Sequence, residues 1–237
     1  MVGSGGGVPQ GIASRTADVT VEPFADAATE ARLLRYLDEL YLWNLRLNLT
    51  AIPRAEAESR HLAEPAQLLA LADPAHGTRV VDIGAGGGVP GLVMAILRPD
   101  LEVTLVEADR RKAGFLLHAA AVTGCPRVSV IARRAEEVGG DPAHRATYDL
   151  AVSRAAAPAP ALCELALPLL RVGGRLLALV ADATGDTLAA AAAASACGGG
   201  PPAVLADGVL GVAKVATTPD RFPRRPGIPE RRPLGGR

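Results

Sequence analysis

The sequence predicts an α/β fold with a mainly parallel, doubly wound sheet, an N-terminal helical extension and a C-terminal antiparallel hairpin. Three observations lead to this prediction. Short apolar segments alternate with helical ones after residue 76, a glycine cluster follows the first of them, and Asp207-Gly208 separates two apolar runs near the end. Strands that alternate with helices are typical of parallel sheets covered on both faces.

Length and composition narrow the class of protein. The 237 residues are 49% hydrophobic, and the formal net charge is zero, which is a globular composition with enough chain for a large core. No uncharged apolar run reaches about 18 residues, so we expect no membrane span. The three cysteines are widely spaced without a CxxC pair. This pattern argues against disulfides or a metal site and favours a cytoplasmic protein.

The patterns divide the chain into four regions. Residues 1–25 are predicted to be a flexible lead, 26–75 a helical extension, 76–218 the main domain, and 219–237 a basic tail. In the extension, leucines and aromatic residues recur with helical spacing.

The main domain contains the alternation itself. Strands are predicted over 79–84, 102–108, 127–133, 148–155 and 175–181, and helices over 90–98, 110–124, 160–170 and 187–202. The last helix is Ala-rich and is also compatible with a low-complexity linker. A turn is expected at Gly173-Gly174, and a hairpin over 204–218.

The glycine cluster marks a candidate ligand site. Asp82, Gly84, Gly86 and Gly88 form a D-x-G-x-G-x-G pattern at the end of the first strand, where doubly wound sheets bind ligands. Glycines let backbone N–H groups approach such a ligand. Glu107 ends the second strand, where an acid can accept hydrogen bonds from ribose hydroxyls.

Two ligand classes share this layout, dinucleotides and S-adenosylmethionine. Pro90 follows the glycines and suits the first turn of the next helix, and a cationic sulfonium favours a nearby acid such as Asp82. These features favour S-adenosylmethionine. A glycine-rich turn without a ligand is the structural alternative.

Several motifs resemble the bacterial small-subunit (16S) ribosomal RNA guanine-N7 methyltransferases, the family also called glucose-inhibited division protein B. The likeness covers about residues 30–237. Its motifs are WNLRLNLTAI (43–52), RHLAEPAQLL (60–69), the segment 81–116, ARRAEEV (132–138), YDLAVSRAAAP (148–158) and RFPRRPGIPERRPL (221–234).

The resemblance implies a Rossmann-like class I methyltransferase fold and S-adenosylmethionine as cofactor. It implies methyl transfer to N7 of a guanine in 16S ribosomal RNA, with that RNA or the small ribosomal subunit as partner. No metal is expected, and the protein is expected to be a monomer. Because guanine N7 has a free lone pair, no general base is needed, and orientation of the reactants supplies most of the rate.

The resemblance also implies roles for individual residues. Arg154 would lie between cofactor and substrate as the candidate catalytic residue. The cofactor site would consist of Asp82, Gly84, Gly86, Gly88, Val89, Glu107, Ala135, Glu136 and Arg154. Two residues keep alternatives: Asp82 acts near the sulfonium or caps the loop, and His61 faces the substrate or is a satisfied core histidine.

The C-terminal arginines are candidate RNA contacts. Arginines are suited to phosphates, which position RNA without reading its sequence. The predicted contacts are Arg221, Arg224, Arg225, Arg231 and Arg232, with Arg237 at the end. A solvated tail is the alternative.

Two departures from the family pattern keep other functions open. Val180-Ala181 replaces a usual Lys-Gly, and Glu64-Pro65 replaces a usual Asp-Ser, where the proline is expected to end a helix early. The alternatives are a methyltransferase of this fold that acts on another RNA or a small molecule, a non-catalytic RNA-binding or ribosome-assembly factor, and a nicotinamide-dependent oxidoreductase.

Overall fold

A seven-stranded sheet forms the centre of the molecule. The computed structural model describes residues 26–235, so the predicted flexible lead and Arg237 lie outside the described residues. The strands are β1 (Arg79–Ile83), β2 (Glu102–Val106), β3 (Val128–Ile131), β4 (Tyr148–Arg154), β5 (Leu170–Leu179), β6 (Ala203–Ala206) and β7 (Val209–Ala213).

The strand order is β3-β2-β1-β4-β5-β7-β6. The first five strands pair in parallel, whereas β7 is antiparallel to both β5 and β6. The predicted doubly wound sheet and the terminal hairpin are therefore confirmed.

Helices cover both faces of the sheet. They are α1 (Ala27–Leu47), α2 (Glu64–Ala72), α3 (Gly91–Leu97), α4 (Arg110–Val122), α5 (Ala135–Gly140), α6 (Ala159–Ala166), α7 (Ala183–Ala196) and α8 (Ile228–Arg231). Helices α1 to α4 contribute to the apolar core on one face, and α5 to α7 to the core on the other. Over residues 26–235, no helix is both long and apolar enough to cross a bilayer.

Helix α1 follows from its sequence. The Asp26 carboxylate accepts a hydrogen bond from the Thr29 N–H at 2.7 Å, which is a favourable start for a helix. Asn48 ends it in the left-handed conformation, with φ of 49°, a common way for helices to end. Between them, Leu33, Tyr36, Leu37 and Leu40 are buried at helical spacing.

The expectation that Pro65 ends a helix early is wrong. A π-helical turn over Glu58–Ala63 continues directly into α2, and the proline occupies the first turn of α2. Proline has no N–H to donate to the preceding turn. In that turn, the Arg60 carbonyl accepts a hydrogen bond from the Arg154 side chain at 3.0 Å.

A further local prediction, the turn in the fifth strand, differs from the structure, whereas the Ala-rich helix is confirmed. The expected turn at Gly173-Gly174 lies inside β5, beside an irregularity in its pairing with β4. A Cβ at Gly174 would lie 2.8 Å from the Asp149 carbonyl oxygen, so that glycine permits a close approach of backbone. The Ala-rich segment is the helix α7 and not a linker. Asp182 caps its start by accepting from the Gly185 N–H.

Candidate functional site

A cavity of about 510 Å³ opens at the carboxyl ends of β1, β2 and β4. It lies at the point where the strand order reverses, which is the usual ligand site of such sheets, and its volume is typical of small-molecule sites. Of the predicted cofactor residues, Gly84, Gly86, Val89, Glu107, Ala135, Glu136 and Arg154 line it. Asp82 and Gly88 are absent from its lining.

The cavity has further lining residues beyond the predicted ones. The cavity is also lined by a segment before the sheet, Leu49 to Ile52, and by the charged residues Arg60, Lys112, Arg133, Arg134 and Glu230. The motif WNLRLNLTAI (43–52) includes the segment from Leu49 to Ile52. Nothing local in the sequence indicates that Glu230 lies beside residues 84–86.

The glycine loop is attached to the end of β2. The N–H groups of Gly84 and Ala85 both donate to the Val106 carbonyl, at 2.9 and 3.0 Å. Gly84 has φ of 69°, and a Cβ there would lie 2.6 Å from the Ala156 Cβ. A larger residue would therefore be strained and would also collide with the segment that follows β4.

Glu107 holds this loop through its carboxylate. One oxygen accepts the Gly86 N–H at 2.9 Å, and the other accepts the Asp109 N–H at 2.8 Å. Each carboxylate oxygen has a second lone pair. Glu107 can therefore accept two further hydrogen bonds from a ligand in the cavity.

Asp82 lies beneath the loop. Its side chain is fully buried, and one oxygen accepts the Gly91 N–H at 2.8 Å where α3 begins. The other oxygen has no hydrogen-bond partner within the described part of the chain. Burial raises the pKa of this carboxyl to about 7, although the Gly91 N–H opposes the change. The geometry agrees with the interpretation that Asp82 caps the loop.

Replacement of Asp82 by asparagine tests this burial. Because the folded-state pKa of Asp82 is above its ordinary value of 3.8, the folded state holds the proton longer, and this residue costs stability as pH rises toward 7. The variant has no carboxyl to titrate. We therefore expect the unfolding free energy of Asp82→Asn, relative to that of the natural protein, to be about 2 to 3 kcal/mol higher at pH 8 than at pH 5. Urea unfolding of both proteins at pH 5 and at pH 8 measures this change. A stability difference between the two proteins that does not depend on pH would contradict the prediction.

Helix α1 builds the second wall of the cavity. The Asn44 side chain accepts the N–H groups of Leu49 and Thr50 at 2.6 and 2.9 Å, and it donates to the Thr50 carbonyl at 2.9 Å. The Tyr41 hydroxyl donates to the Ile52 carbonyl at 2.9 Å. These four bonds fix the segment 49–52 against the cavity.

A second tyrosine joins α1 to the glycine loop. The buried Tyr36 hydroxyl donates to the Gly87 carbonyl at 2.7 Å. A Cβ at Gly87 would lie 2.9 Å from Leu40 Cδ1, so the loop packs directly on this helix. The helical extension is therefore part of the site's framework.

Arg154 connects β4 to the segment before α2. It donates to the Arg60 carbonyl at 3.0 Å, to the Glu64 carboxylate at 3.2 Å and to Nδ1 of His61 at 3.1 Å. Glu64, one of the departures from the family pattern, thus supplies an ion pair to this arginine. The departure preserves a charged partner for Arg154.

His61 is a satisfied core histidine in this structure. It is fully buried, and its Nε2 lies 3.1 Å from the Thr50 hydroxyl while Nδ1 faces Arg154. Burial, followed by the charges of Arg154 and Arg60, lowers its pKa to about 4. The imidazole is therefore neutral at physiological pH.

The C-terminal segment packs on the body of the protein. Phe222 and Pro229 are buried, and the buried carboxylate of Glu136 accepts the Gly227 N–H at 2.6 Å. Residues 219–235 are therefore ordered on the domain, in contrast to the alternative of a solvated tail.

The predicted RNA-binding arginines occupy different environments. Arg224 donates to the fully buried Glu164 through its backbone N–H and its guanidinium, at 2.6 to 3.0 Å. Arg231 donates to the Gly227 carbonyl, and Arg221 lies over the Phe222 ring. Arg225 and Arg232 are exposed. Among residues 26–235, no cluster of His, Cys, Asp and Glu has the geometry of a metal site.

Similar solved structures share the fold. One is an S-adenosylmethionine-dependent O-methyltransferase from Thermotoga maritima, with a TM-score of 0.54 and 16% identity over 76% of this chain and 72% of that chain. Another is a variant of MtNAS in complex with S-adenosylmethionine, with a TM-score of 0.52 and 16% identity over 79% of this chain and 73% of that chain.

Sequence comparison identifies the family. The family model described as rRNA small subunit methyltransferase G matches residues 29–203. A protein of Roseiflexus castenholzii named ribosomal RNA small subunit methyltransferase G is 42% identical over 84% of this chain and 89% of its own length. A protein of Symbiobacterium thermophilum with the same name is 39% identical over 95% and 96%. The chain belongs to the rRNA small subunit methyltransferase G family.

Proposed function

We propose that this protein transfers a methyl group from S-adenosylmethionine to N7 of a guanine in small-subunit (16S) ribosomal RNA. The observation that carries the proposal is the cavity in which the Glu107 carboxylate fastens the glycine loop at the reversal of the strand order. The function of the family to which the chain belongs supports the choice of ribosomal RNA as substrate.

The residues fit the cofactor. Gly84 and Gly86 line the cavity with backbone, and Glu107 keeps lone pairs for the two ribose hydroxyls. Ala135 and Glu136 line the cavity at the start of α5, and the family resemblance assigns the adenine to them. When bound, S-adenosylmethionine supplies a methyl group on a positively charged sulfur. Asp82 and Gly88 support the loop from outside the lining.

The protein's task in such a reaction is orientation. Guanine N7 carries a free lone pair at neutral pH, so no proton has to be removed from it. The described cavity lining contains arginines, a lysine and glutamates but no histidine, which agrees with a site that positions reactants. Holding two reactants in line contributes about 7 to 11 kcal/mol in favourable cases.

RNA would approach over a rim of positive side chains. Arg60, Lys112, Arg133 and Arg134 line the cavity, and Arg225, Arg231 and Arg232 are exposed on the C-terminal segment. Basic side chains bind phosphates without reading sequence. The proposed partner is 16S ribosomal RNA or the small ribosomal subunit, in the cytoplasm. We propose that the protein acts as a monomer.

Transfer of labelled methyl tests the proposal. The recipients are small ribosomal subunits that lack N7-methylguanine and, in parallel, the RNA extracted from them. Label in the RNA of either recipient supports the proposal. Binding of S-adenosylmethionine without transfer to either would indicate another substrate, and Val180, which directly follows β5, would be the first departure from the family pattern to test. No binding would favour a non-catalytic assembly factor.

Arg154→Ala is expected to lower kcat/KM for methyl transfer about 10- to 100-fold and to leave the affinity for S-adenosylmethionine within about threefold. The change removes all three hydrogen bonds by which Arg154 ties residues 60–64 to β4, so Arg60 at the cavity and His61 beside Thr50 lose their fixed positions. Steady-state transfer and calorimetry measure the two effects. Equal losses in both would show that Arg154 acts on the cofactor instead.

A further inference from the structure

The Thr50 hydroxyl has an unusual set of partners. Its Oγ1 lies 3.0 Å from the Ile52 N–H nitrogen and 3.1 Å from Nε2 of His61, and Thr50 itself lines the cavity. The Ile52 N–H can only donate, so Oγ1 accepts that bond.

The direction of the second bond follows from Arg154. A guanidinium only donates hydrogen bonds, so Nδ1 of His61 must be the acceptor of the bond from Arg154 at 3.1 Å. A neutral imidazole carries its proton on the other nitrogen, and the low pKa of His61 keeps it neutral. Nε2 therefore donates to Thr50.

Both lone pairs of the Thr50 oxygen are then occupied. A hydroxyl has two acceptor sites and one proton. With the acceptor sites filled by His61 and Ile52, Thr50 can act toward the cavity only as a donor. The hydrogen bonds that run from Arg154 through His61 thus make the Thr50 hydroxyl a hydrogen-bond donor toward the cavity.

We infer that Thr50 is a specificity-determining residue that donates its hydroxyl proton to O6 of the target guanine. Guanine presents two acceptors side by side, N7 and O6, whereas adenine presents an amino donor in place of O6. A donor-only hydroxyl pairs with O6 and rejects the adenine amino group. The inference rests on the proposed function and assigns one contact within it.

The position of this donor is fixed before substrate arrives. Asn44 makes hydrogen bonds to both the N–H and the carbonyl of Thr50, and Tyr41 holds the carbonyl of Ile52. A group held in this way does not have to reorganise when the base binds. This explains why a tight asparagine-clamped turn stands next to a cofactor cavity.

The test measures methylation of two RNAs by the natural protein and by variants of Thr50. Subunits are assembled with either guanine or 2-aminopurine at the methylated position, since 2-aminopurine keeps N7 but has no O6. We expect the natural protein to methylate guanine about 10- to 30-fold more efficiently in kcat/KM. Thr50→Val should reduce that preference about 10-fold, and the comparison of the two ratios cancels the lower intrinsic reactivity of N7 in 2-aminopurine. Thr50→Ser, which keeps the hydroxyl, should restore the preference.

Controls separate recognition from structure. Thr187→Val removes a hydroxyl that bonds within α7 to the Ala183 carbonyl, and it should keep the natural preference. If Thr50→Val lowers methylation of both RNAs by the same factor, Thr50 only supports the wall and the inference is overturned. If the natural protein methylates guanine at N7 but shows no preference over 2-aminopurine, the inference also fails. Absence of any N7 methylation would instead overturn the proposed function.

Discussion

Replacement of Arg224 by alanine is expected to lower the free energy of unfolding by about 3 to 5 kcal/mol. Glu164 on α6 is fully buried, and the Arg224 guanidinium contacts both of its carboxylate oxygens. Without that side chain the buried carboxylate keeps, among residues 26–235, only the backbone N–H of residue 224 as a hydrogen-bond donor. Urea unfolding at neutral pH measures the loss.

The neighbouring arginine is a matched control. Arg225 is exposed, so Arg225→Ala should change the unfolding free energy by less than about 0.5 kcal/mol. It should instead weaken RNA binding and reduce the dependence of that binding on salt. Adding Glu164→Gln to Arg224→Ala should recover part of the lost stability, because a neutral amide costs less to bury. Similar unfolding curves for the two arginine variants would contradict this account of Arg224.

Replacement of Glu107 by alanine is expected to weaken binding of S-adenosylmethionine at least about 100-fold. The change removes two prospective hydrogen bonds to the ribose, and bonds to a charged group contribute about 1.5 to 3 kcal/mol each. It also releases the Gly86 and Asp109 N–H groups, so the loop keeps only its backbone bonds to Val106 from Gly84 and Ala85 among the attachments to β2 described above. Isothermal titration calorimetry measures the affinity directly.

Glu102 provides the control for charge alone. It lies at the other end of β2, and its side chain is about half exposed beside Arg79 and Arg127. Glu102→Ala should leave the affinity for S-adenosylmethionine unchanged within error. An unchanged affinity in Glu107→Ala would show that the ligand does not use the end of β2.

The sheet and the glycine loop are predictable because their signals are local. The pattern of apolar residues is enough to predict the alternating strands and helices. Gly84 is predictable because the turn that directly follows β1 needs a glycine. Glu107 could be placed because parallel strands end at one edge of the sheet. The family resemblance added Arg154 and Ala135, which have no local signal of their own.

The remaining contacts join distant parts of the chain. Arg224 and Glu164 are 60 residues apart, and no spacing distinguishes an arginine that pairs with a buried acid from one that faces RNA. The roles of His61 and Thr50 depend on contacts across the fold. His61 contacts Arg154 at the end of β4, and Thr50 is held by Asn44 on α1. Pro65 breaks the expected helical pattern, yet the π-helical turn before it keeps the segment continuous.

The most direct measurement is the identity of the methylated atom. Small ribosomal subunits that lack N7-methylguanine are incubated with the protein and S-adenosylmethionine, and their RNA is digested and analysed by mass spectrometry. We predict N7-methylguanine at a single position in 16S RNA, absent when Glu107→Ala replaces the natural protein. A methyl group on another base or atom, or none despite cofactor binding, would contradict the claim that this cavity methylates guanine N7.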